Sequence, residues 1–313
     1  MILSDNFHKP VLLSLVIEAL KVEKGKKYID ATIGGGGYTE EILKLGGIVL
    51  GIDADKDAIE YVRKKFPAKG WSASGREVNK KLFLEQGNFA NLKKIASKYG
   101  FEKTAGIIFD LGMSSYQLEK SGRGFSYERD EPLDMRMDKN IQFDAGELLN
   151  SYSEDRLYEI FSIYAEELHS RAIAKAIVRA RSLNNGLTRT GELSGIIKDV
   201  LNRIYALKQN DTFRLFQKTK ARIFQAIRIV VNNEMENLET GLNDGIDLLD
   251  ISGRIIVLSY HSLEDRKVKM NFRKRQFMNK LEILNLPLRA TYDEIKINSK
   301  ARSVKLRIAQ KIS

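Results

Sequence analysis

The chain has 313 residues, of which 43% are hydrophobic and 30% charged, and it contains no cysteine. This length supports a full hydrophobic core in one or two domains, and no apolar run approaches the roughly 18 residues that a membrane span requires. The missing cysteines exclude disulfides, thiolate metal sites and cysteine nucleophiles. Together with an N-terminus that lacks a signal-peptide pattern, these features predict a cytoplasmic protein with no membrane partner.

Basic residues are concentrated near the end of the chain. Residues 253–313 hold 15 Lys/Arg and 5 Asp/Glu, whereas the remaining residues are nearly neutral. A basic segment of this kind is typical of a polyanion partner such as nucleic acid. An ordinary solvated helix face explains the same composition equally well.

The first 112 residues alternate short apolar runs with amphipathic ones. The runs KKYIDATI, GIVLGIDA, LFLEQGNF and AGIIFDLG predict buried strands, and the segments between them predict helices. Continuous apolar strands that alternate with amphipathic helices favour a parallel, doubly wound α/β sheet.

This alternation stops after Gly112 and resumes near residue 221. The intervening residues predict a loop and several helices, without a convincing buried strand. Beyond them we predict one long helix over residues 221–250, the strand GRIIVLSY and a basic helix opened by a capping box at Ser262 and Asp265. The sequence therefore predicts an α/β domain, residues 1–112 and 221–313, with an inserted helical domain, residues 113–220.

Four consecutive glycines, residues 34–37, lie between the first strand and the first helix of this pattern. Glycine there lets a ligand approach the backbone closely. Asp53 follows Asp30 by 23 residues at the end of the second strand, where an acid suits the hydroxyls of a ribose. The dinucleotide fingerprint requires glycine at the position of Thr39, and no P-loop motif occurs, so neither dinucleotide nor nucleoside triphosphate is favoured. A tight turn without a ligand remains the alternative.

Two further strand ends carry groups that could take part in catalysis. Asp110 ends the fourth strand, where doubly wound enzymes place residues that face both cofactor and substrate. Its alternative role is to cap the following turn. His261 follows the strand GRIIVLSY, and its alternative is a structural hydrogen bond.

The loop RGFSYERDEPLDMRMD mixes arginines with aromatic residues. Arg123 and Arg136 could bind phosphates, and Phe125 and Tyr127 could stack on bases, a combination suited to RNA. The acidic residues of the same loop could instead neutralise these arginines in a rigid structure, which the sequence alone slightly favours.

Seven segments taken together resemble one known family. They are HKPVLL, DATIGGGGYTEEIL, GIDADKDA, FDLGMSSYQLEKSGRGFSYERDEPLDMRMD, FQAIRIVVNNEM, SYHSLEDRKVK and ARSVKLRIA, in this order. The chain resembles the bacterial small-subunit rRNA (cytosine-N4)-methyltransferase family, also called MraW or RsmH. One departure is Tyr38, which stands where that family usually has histidine.

The resemblance implies a class I methyltransferase fold, S-adenosylmethionine as cofactor and a helical insert that recognises rRNA. It implies methylation of a cytosine N4 in the decoding region of 16S rRNA within the 30S subunit, and it suggests a homodimer. The implied cofactor contacts are Gly36, Gly37, Tyr38, Asp53, Phe89, Asp110 and Gln117. The RNA contacts predicted with it are Arg123, Phe125, Tyr127, Arg136, His261, Arg266, Lys267, Arg273 and Arg275.

Asp110 is the best candidate to accept a proton from the cytosine amine, with neighbouring backbone carbonyls as the alternative. The absence of cysteine excludes the usual route to pyrimidine C5 methylation and is compatible with N4 chemistry. Three rival functions remain at this stage. They are a methyltransferase for proteins or small molecules, a non-catalytic RNA-binding assembly factor, and a nicotinamide dehydrogenase, of which the last is disfavoured by Thr39.

Overall fold

A computed structural model describes residues 10–66, 81–183, 185–205, 209–284 and 287–313. The first residues of the HKPVLL segment therefore lie outside the described residues. The chain divides into two compact units, residues 1–114 with 235–313, and residues 115–234. Among the described residues, none of the helices combines the length and the apolar character that crossing a membrane would need.

The first unit is built on one sheet. Its seven described strands follow the order β3-β2-β1-β4-β5-β7-β6, with β1 to β5 parallel and β7 antiparallel to both β5 and β6. The predicted doubly wound, mostly parallel sheet is thus confirmed. The strands are β1 Lys27–Asp30, β2 Ile48–Asp53, β3 Leu82–Gln86, β4 Thr104–Asp110, β5 Leu249–Ser259, β6 Leu281–Ile283 and β7 Lys305–Lys311.

Helices cover both faces of this sheet and make up most of the second unit. In chain order they are α1 Leu13–Leu20, α2 Gly37–Lys44, α3 Lys56–Lys65, α4 Leu92–Lys98, α5 Ser115–Glu119, α6 Ala145–Ser151, α7 Glu154–Tyr164, α8 Ser170–Leu183, α9 Thr190–Tyr205, α10 Gln209–Val231, α11 Glu234–Leu248, α12 Ser262–Phe277 and α13 Tyr292–Ile297.

The central strands are buried on both faces because successive side chains point to opposite sides. In β4, Ile107 and Phe109 join the core beneath α4, α11 and α12, while Ile108 joins the core beneath α1, α2 and α3. All three side chains are fully buried. This double burial explains why the strands appear in the sequence as continuous apolar runs.

The second unit is helical in its described residues, apart from an isolated bridge between Pro132 and Arg189. Its core includes Leu157, Phe161 and Ile177, each fully buried. α10 packs against α6, α7 and α9, so this helix belongs to the insert along most of its length.

The structure differs from the sequence prediction at the end of the insert. The predicted boundary after residue 220 falls inside α10, and the second unit continues to residue 234. The predicted single helix over residues 221–250 is wrong, because α10 ends at Val231 and α11 begins at Glu234. Asn233 has a φ of 50° there, a left-handed conformation that asparagine tolerates and that interrupts a helix.

Candidate functional site

The candidate site lies where the parallel strands end. β1 and β4 are neighbours in the sheet, and the strand order reverses between them, since β2 and β3 lie on one side and β5 on the other. Ligands of open α/β sheets bind at the carboxyl ends of the strands at such a switch point. Asp30, Asp53 and Asp110 are the last residues of β1, β2 and β4, so parallel pairing brings all three to this edge.

The glycine loop serves packing as well as ligand approach. Gly36 has a φ of 72° and precedes α2, and a Cβ built on it would lie 3.1 Å from a ring carbon of Phe66. Gly37 opens α2, and a Cβ there would lie 2.7 Å from Pro10. Part of the space left by these glycines is therefore filled by the protein itself, which sequence reasoning did not anticipate. Their predicted contacts with the cofactor stay predictions.

Asp53 ties the end of β2 to the glycine loop. Its carboxylate accepts hydrogen bonds from the backbone N–H groups of Gly34 and Asp55, both at 2.9 Å. Burial raises the pKa of Asp53 to about 7, although these two hydrogen bonds favour the charged form. The carboxylate is thus held in place at the strand end where the sequence predicted a ribose contact.

Asp30 is a member of the site that sequence reasoning left unassigned. It is fully buried, and its Oδ2 accepts a hydrogen bond from Oγ1 of Thr39 at 2.8 Å. Among the described residues its Oδ1 has no hydrogen-bond partner. Burial raises the pKa of Asp30 to about 7, against the effect of the Thr39 hydrogen bond. Since unsatisfied buried carboxylate oxygens are costly, this atom is suited to a cationic or hydrogen-bond-donating ligand group.

We expect Asp30→Asn to flatten the pH dependence of stability. The folded-state pKa of Asp30 lies above its ordinary value of 3.8, so the folded state binds more protons than the unfolded state between those values. The free energy of unfolding then falls as pH rises from 4 to 7, by an amount on the order of a few kcal/mol from this group. Asparagine does not titrate and removes that contribution. Denaturant unfolding at pH 5 and pH 8 measures the change.

Glu60→Gln is the matched control for this measurement, because Glu60 is an exposed acid on α3. It should leave the slope of stability against pH as in the wild type. An Asp30→Asn variant with an unaltered slope would contradict the raised pKa of Asp30.

Asp110 lies between two buried phenols. Its Oδ1 accepts a hydrogen bond from the hydroxyl of Tyr260 at 2.6 Å, and its Oδ2 accepts a longer one from Tyr38 at 3.4 Å. Burial, and then the charge of Asp110, raise the pKa of both tyrosines well above the ordinary value. Both hydroxyls therefore remain protonated, and Tyr260 is the stronger hydrogen-bond donor to Asp110.

The Tyr38 side chain is buried in the protein interior. Only 3% of the residue is exposed, and its single hydroxyl hydrogen is shared between the backbone oxygen of Val11 at 2.6 Å and, more weakly, Asp110 at 3.4 Å. A contact with the cofactor through the Tyr38 backbone is compatible with this position and stays a prediction.

The sequence analysis did not identify Tyr260. It selected the neighbouring His261, because histidine can act in catalysis near neutral pH. The Tyr260 ring needs space beside Gly112, where an added Cβ would lie 3.1 Å from Cδ2 of the ring. Gly112 also has a φ of 102°, which other residues rarely adopt. The glycine after FDL in the sequence was the available signal that another group packs closely at this strand end.

Phe89 and Gln117 occupy different units. Phe89 follows β3, is partly buried, and packs edge-to-face on Phe109 with ring centroids 5.6 Å apart. Gln117 lies on α5 of the second unit and is 6% exposed. The cofactor contacts expected of both residues stay predictions.

In the arginine-rich loop, Arg123 and Phe125 lie inside the second unit. Arg123 is 5% exposed and donates to the backbone oxygens of Arg136 and Met137, and its guanidinium lies 5.3 Å from the centroid of the Phe125 ring. Arg136 makes two hydrogen bonds to Asp134, at 2.8 and 3.0 Å. These contacts favour the rigid-loop interpretation of the two arginines and of Phe125 over a direct contact with RNA.

Tyr127 keeps a partly exposed ring in the same unit. It packs edge-to-face on Phe224, and Nζ of Lys220 lies 5.1 Å from its centroid. Burial lowers the pKa of Lys220, which is also 4.7 Å from the centroid of Phe216. Of the two aromatic residues predicted to stack on RNA, Tyr127 is therefore the one whose exposure suits that role.

His261 caps a helix. It is the N-cap of α12, its Nδ1 accepts the N–H of Glu264 at 3.4 Å, and the Glu264 side chain accepts from the N–H of His261. The capping box predicted at Ser262 and Asp265 is therefore wrong by one residue. Asp265 instead accepts hydrogen bonds from basic side chains of β7. The structural alternative considered for His261 is the role that the structure shows.

The four basic residues predicted on α12 divide into two pairs. Arg266 and Arg273 are exposed to solvent. Lys267 and Arg275 are partly buried and form ion pairs with acidic residues of α11. For all four residues, contact with RNA stays a prediction.

A family model described as the MraW methylase family matches residues 5–312. Relatives named ribosomal RNA small subunit methyltransferase H cover nearly the whole chain. The one from Persephonella marina is 40% identical over 97% of this chain and 99% of the relative. Those from Pelodictyon phaeoclathratiforme and Carboxydothermus hydrogenoformans are 38% and 36% identical over 98% of this chain and 96% and 98% of the relatives. The chain belongs to the MraW methylase family and is a methyltransferase that takes its methyl group from S-adenosylmethionine.

Proposed function

We propose that this chain methylates the exocyclic N4 of a cytosine in the decoding region of 16S rRNA, within the small ribosomal subunit. The relatives that match it along nearly their full length are named as small-subunit rRNA methyltransferases. The observation that carries the proposed chemistry is the Asp110 carboxylate, held by the Tyr260 hydroxyl at 2.6 Å at the switch point of the sheet. The predicted homodimer and cytoplasmic location form part of this proposal.

The residues at the switch point fit S-adenosylmethionine. The buried Oδ1 of Asp30, which has no hydrogen-bond partner among the described residues, suits a cationic group of the donor, and Asp53 would accept hydrogen bonds from the ribose hydroxyls. The backbone of Gly36 and Gly37 would lie against the donor at the first turn of α2, where the N-cap Gly36 has no side chain to cap the helix. No phosphate group is required by this arrangement.

Bound at this site, S-adenosylmethionine would supply an electrophilic methyl group. The cytosine N4 lone pair is delocalised into the ring, so the protein must orient the amine and accept a proton as the N–C bond forms. A carboxylate has about four lone-pair sites, so Asp110 can accept an amine hydrogen while Tyr260 holds it. The proton lost from N4 then passes to the Asp110 carboxylate.

The direct test compares rRNA from a deletion strain with rRNA from its parent. Nucleoside mass spectrometry should show the loss of N4-methylation from one cytosine of 16S rRNA, and the purified protein should restore it with labelled donor. Small subunits, protein-free rRNA and a protein extract are offered in parallel. Label that entered only protein, or a methyl group at C5 or on the ribose, would contradict the proposal.

We expect the affinity for S-adenosylmethionine to rise as pH increases from 5.5 to 7.5. Burial raises the pKa of both Asp30 and Asp53 to about 7, and a cationic donor binds their ionised forms better. Calorimetric titrations across this range measure the dissociation constant. Below the pKa of a group that must ionise, the constant should fall by about ten-fold for each pH unit, and two such groups should multiply this effect. Asp30→Asn should show a weaker dependence, and a wild-type affinity that did not change with pH would exclude these contacts.

A further inference from the structure

α12 turns one face to the sheet and α11. Val268 and Phe272 are buried in the core of the first unit. Beside them, Nζ of Lys267 lies 2.6 Å from a carboxylate oxygen of Glu239. Arg275 donates to the side chain of Asn243 on α11 at 3.1 Å. The inner face of α12, including two of its cations, therefore packs against the rest of the first unit.

The opposite face forms what we call the outer stripe of α12, and every member is solvent-exposed. Met270 and Phe277 are 66% and 90% exposed. Each member has another three or four residues away along the chain, and Arg273 and Lys274 are adjacent, so together they form one band along the helix, about 16 Å long. The outer stripe consists of Arg266, Met270, Arg273, Lys274 and Phe277.

Met270 and Phe277 are too exposed to contribute much to the hydrophobic core of the first unit. Single exposed apolar residues are common on protein surfaces. Here, however, Met270 and Phe277 alternate along one band with three cations, and residues 253–313 carry an excess of ten positive charges. Cations complement phosphates, while an exposed phenyl ring offers a flat face on which an unpaired base can stack.

We propose that the outer stripe of α12 binds a single-stranded segment of RNA, with Arg273 and Lys274 on phosphates and the Phe277 ring stacked on a base. The proposal rests on the proposed rRNA substrate and assigns it a contact surface. Duplex RNA is a poorer fit, since its bases are already stacked and would leave Phe277 and Met270 in contact with the polar backbone. A protein partner would need a larger apolar area than these two side chains provide.

The test measures the affinity of the full chain for single-stranded 16S rRNA fragments by fluorescence anisotropy. Phe277→Leu should weaken binding by about ten-fold, because leucine is apolar but cannot stack, whereas Phe277→Tyr should bind as the wild type does. Arg273→Gln combined with Lys274→Gln should weaken binding and reduce the salt slope by about 1.4. Duplex fragments should respond to the charge variants and not to Phe277→Leu.

Two exposed residues elsewhere in the first unit serve as matched controls. Lys93→Gln removes a charge from α4, and Ile251→Ala removes an exposed apolar side chain from β5. Both should bind RNA as the wild type does. Because the residues of the outer stripe are exposed, circular dichroism and thermal unfolding should confirm that all variants fold normally.

Each contrary result has a separate meaning. A wild type that methylates small subunits while Phe277→Leu binds single strands normally would overturn the RNA-binding stripe alone. An effect of Phe277→Leu confined to assembled subunits, or on the oligomeric state, would assign the stripe to a protein contact and overturn the proposal. A wild type that neither binds nor methylates rRNA would overturn the proposed function, and the stripe with it.

Discussion

Asp110→Asn should lower kcat for methyl transfer by about 10² to 10⁴-fold, the range expected when a positioned proton acceptor is lost. Asparagine has nearly the same shape and can still accept the hydrogen bond that Tyr260 donates at 2.6 Å. It cannot accept the proton that leaves N4, because its amide is not basic. Single-turnover methylation of small subunits with labelled donor measures the effect on the chemical step.

The binding of S-adenosylmethionine to Asp110→Asn should change by no more than a few-fold. A large loss of donor affinity with a normal rate at saturation would assign Asp110 to the cofactor alone. Near-normal turnover would exclude its role as the proton acceptor and would favour the neighbouring backbone carbonyls.

Tyr260→Phe separates positioning from proton transfer, because it leaves the Asp110 carboxylate in place and removes its 2.6 Å hydrogen bond. The loss of a bond that favours the charged form makes a carboxylate harder to ionise. We therefore expect the acidic limb of the pH–kcat profile to move to higher pH, with partial activity recovered in alkaline buffer. A purely structural role for Tyr260 would lower the rate equally at every pH.

Asp53→Ala should weaken the binding of S-adenosylmethionine by about 100-fold and leave kcat at saturating donor within a few-fold of the wild type. Two effects combine in this loss. Hydrogen bonds from ribose hydroxyls to a charged acceptor each contribute about 1.5–3 kcal/mol. The glycine loop also loses the carboxylate that holds the N–H groups of Gly34 and Asp55 at 2.9 Å. Isothermal titration with the donor measures the first quantity, and steady-state assays measure the second.

Asp53→Asn distinguishes these two contributions, because its single acceptor oxygen can serve only part of the arrangement, and we expect an intermediate affinity. Glu60→Gln again removes an acid from a nearby, exposed position and should bind the donor normally. If Asp53→Ala bound S-adenosylmethionine as tightly as Glu60→Gln, the donor ribose would have to lie elsewhere.

Much of the sheet could be predicted because its strands are buried on both faces. Double burial produces continuous apolar runs such as GIVLGIDA, and glycine or a polar loop ends each of them. The residues at the strand ends followed from the same reasoning, since parallel strands finish at one edge. Asp53 and Asp110 were found in this way, and both lie where the sequence predicted.

The break between α10 and α11 could not be predicted, because the apolar spacing continues through it. FQAIRIVV and the residues after NNEM both suit a helix, and asparagine is only a weak helix breaker. Asn233 adopts a left-handed conformation at the point where the chain passes from one compact unit to the other. The position of a domain boundary was therefore a tertiary property here.

By itself the sequence determined the five parallel strands, the acids at the strand ends and the resemblance to a methyltransferase family. These features depend on local periodicity or on residues close together in the chain. The tertiary structure alone decided that Tyr260 holds Asp110 from 150 residues away, that Thr39 bonds to a buried Asp30, and that Phe277 faces solvent. Such contacts follow from which strands are neighbours and which helix face meets the core, and local sequence patterns do not encode either.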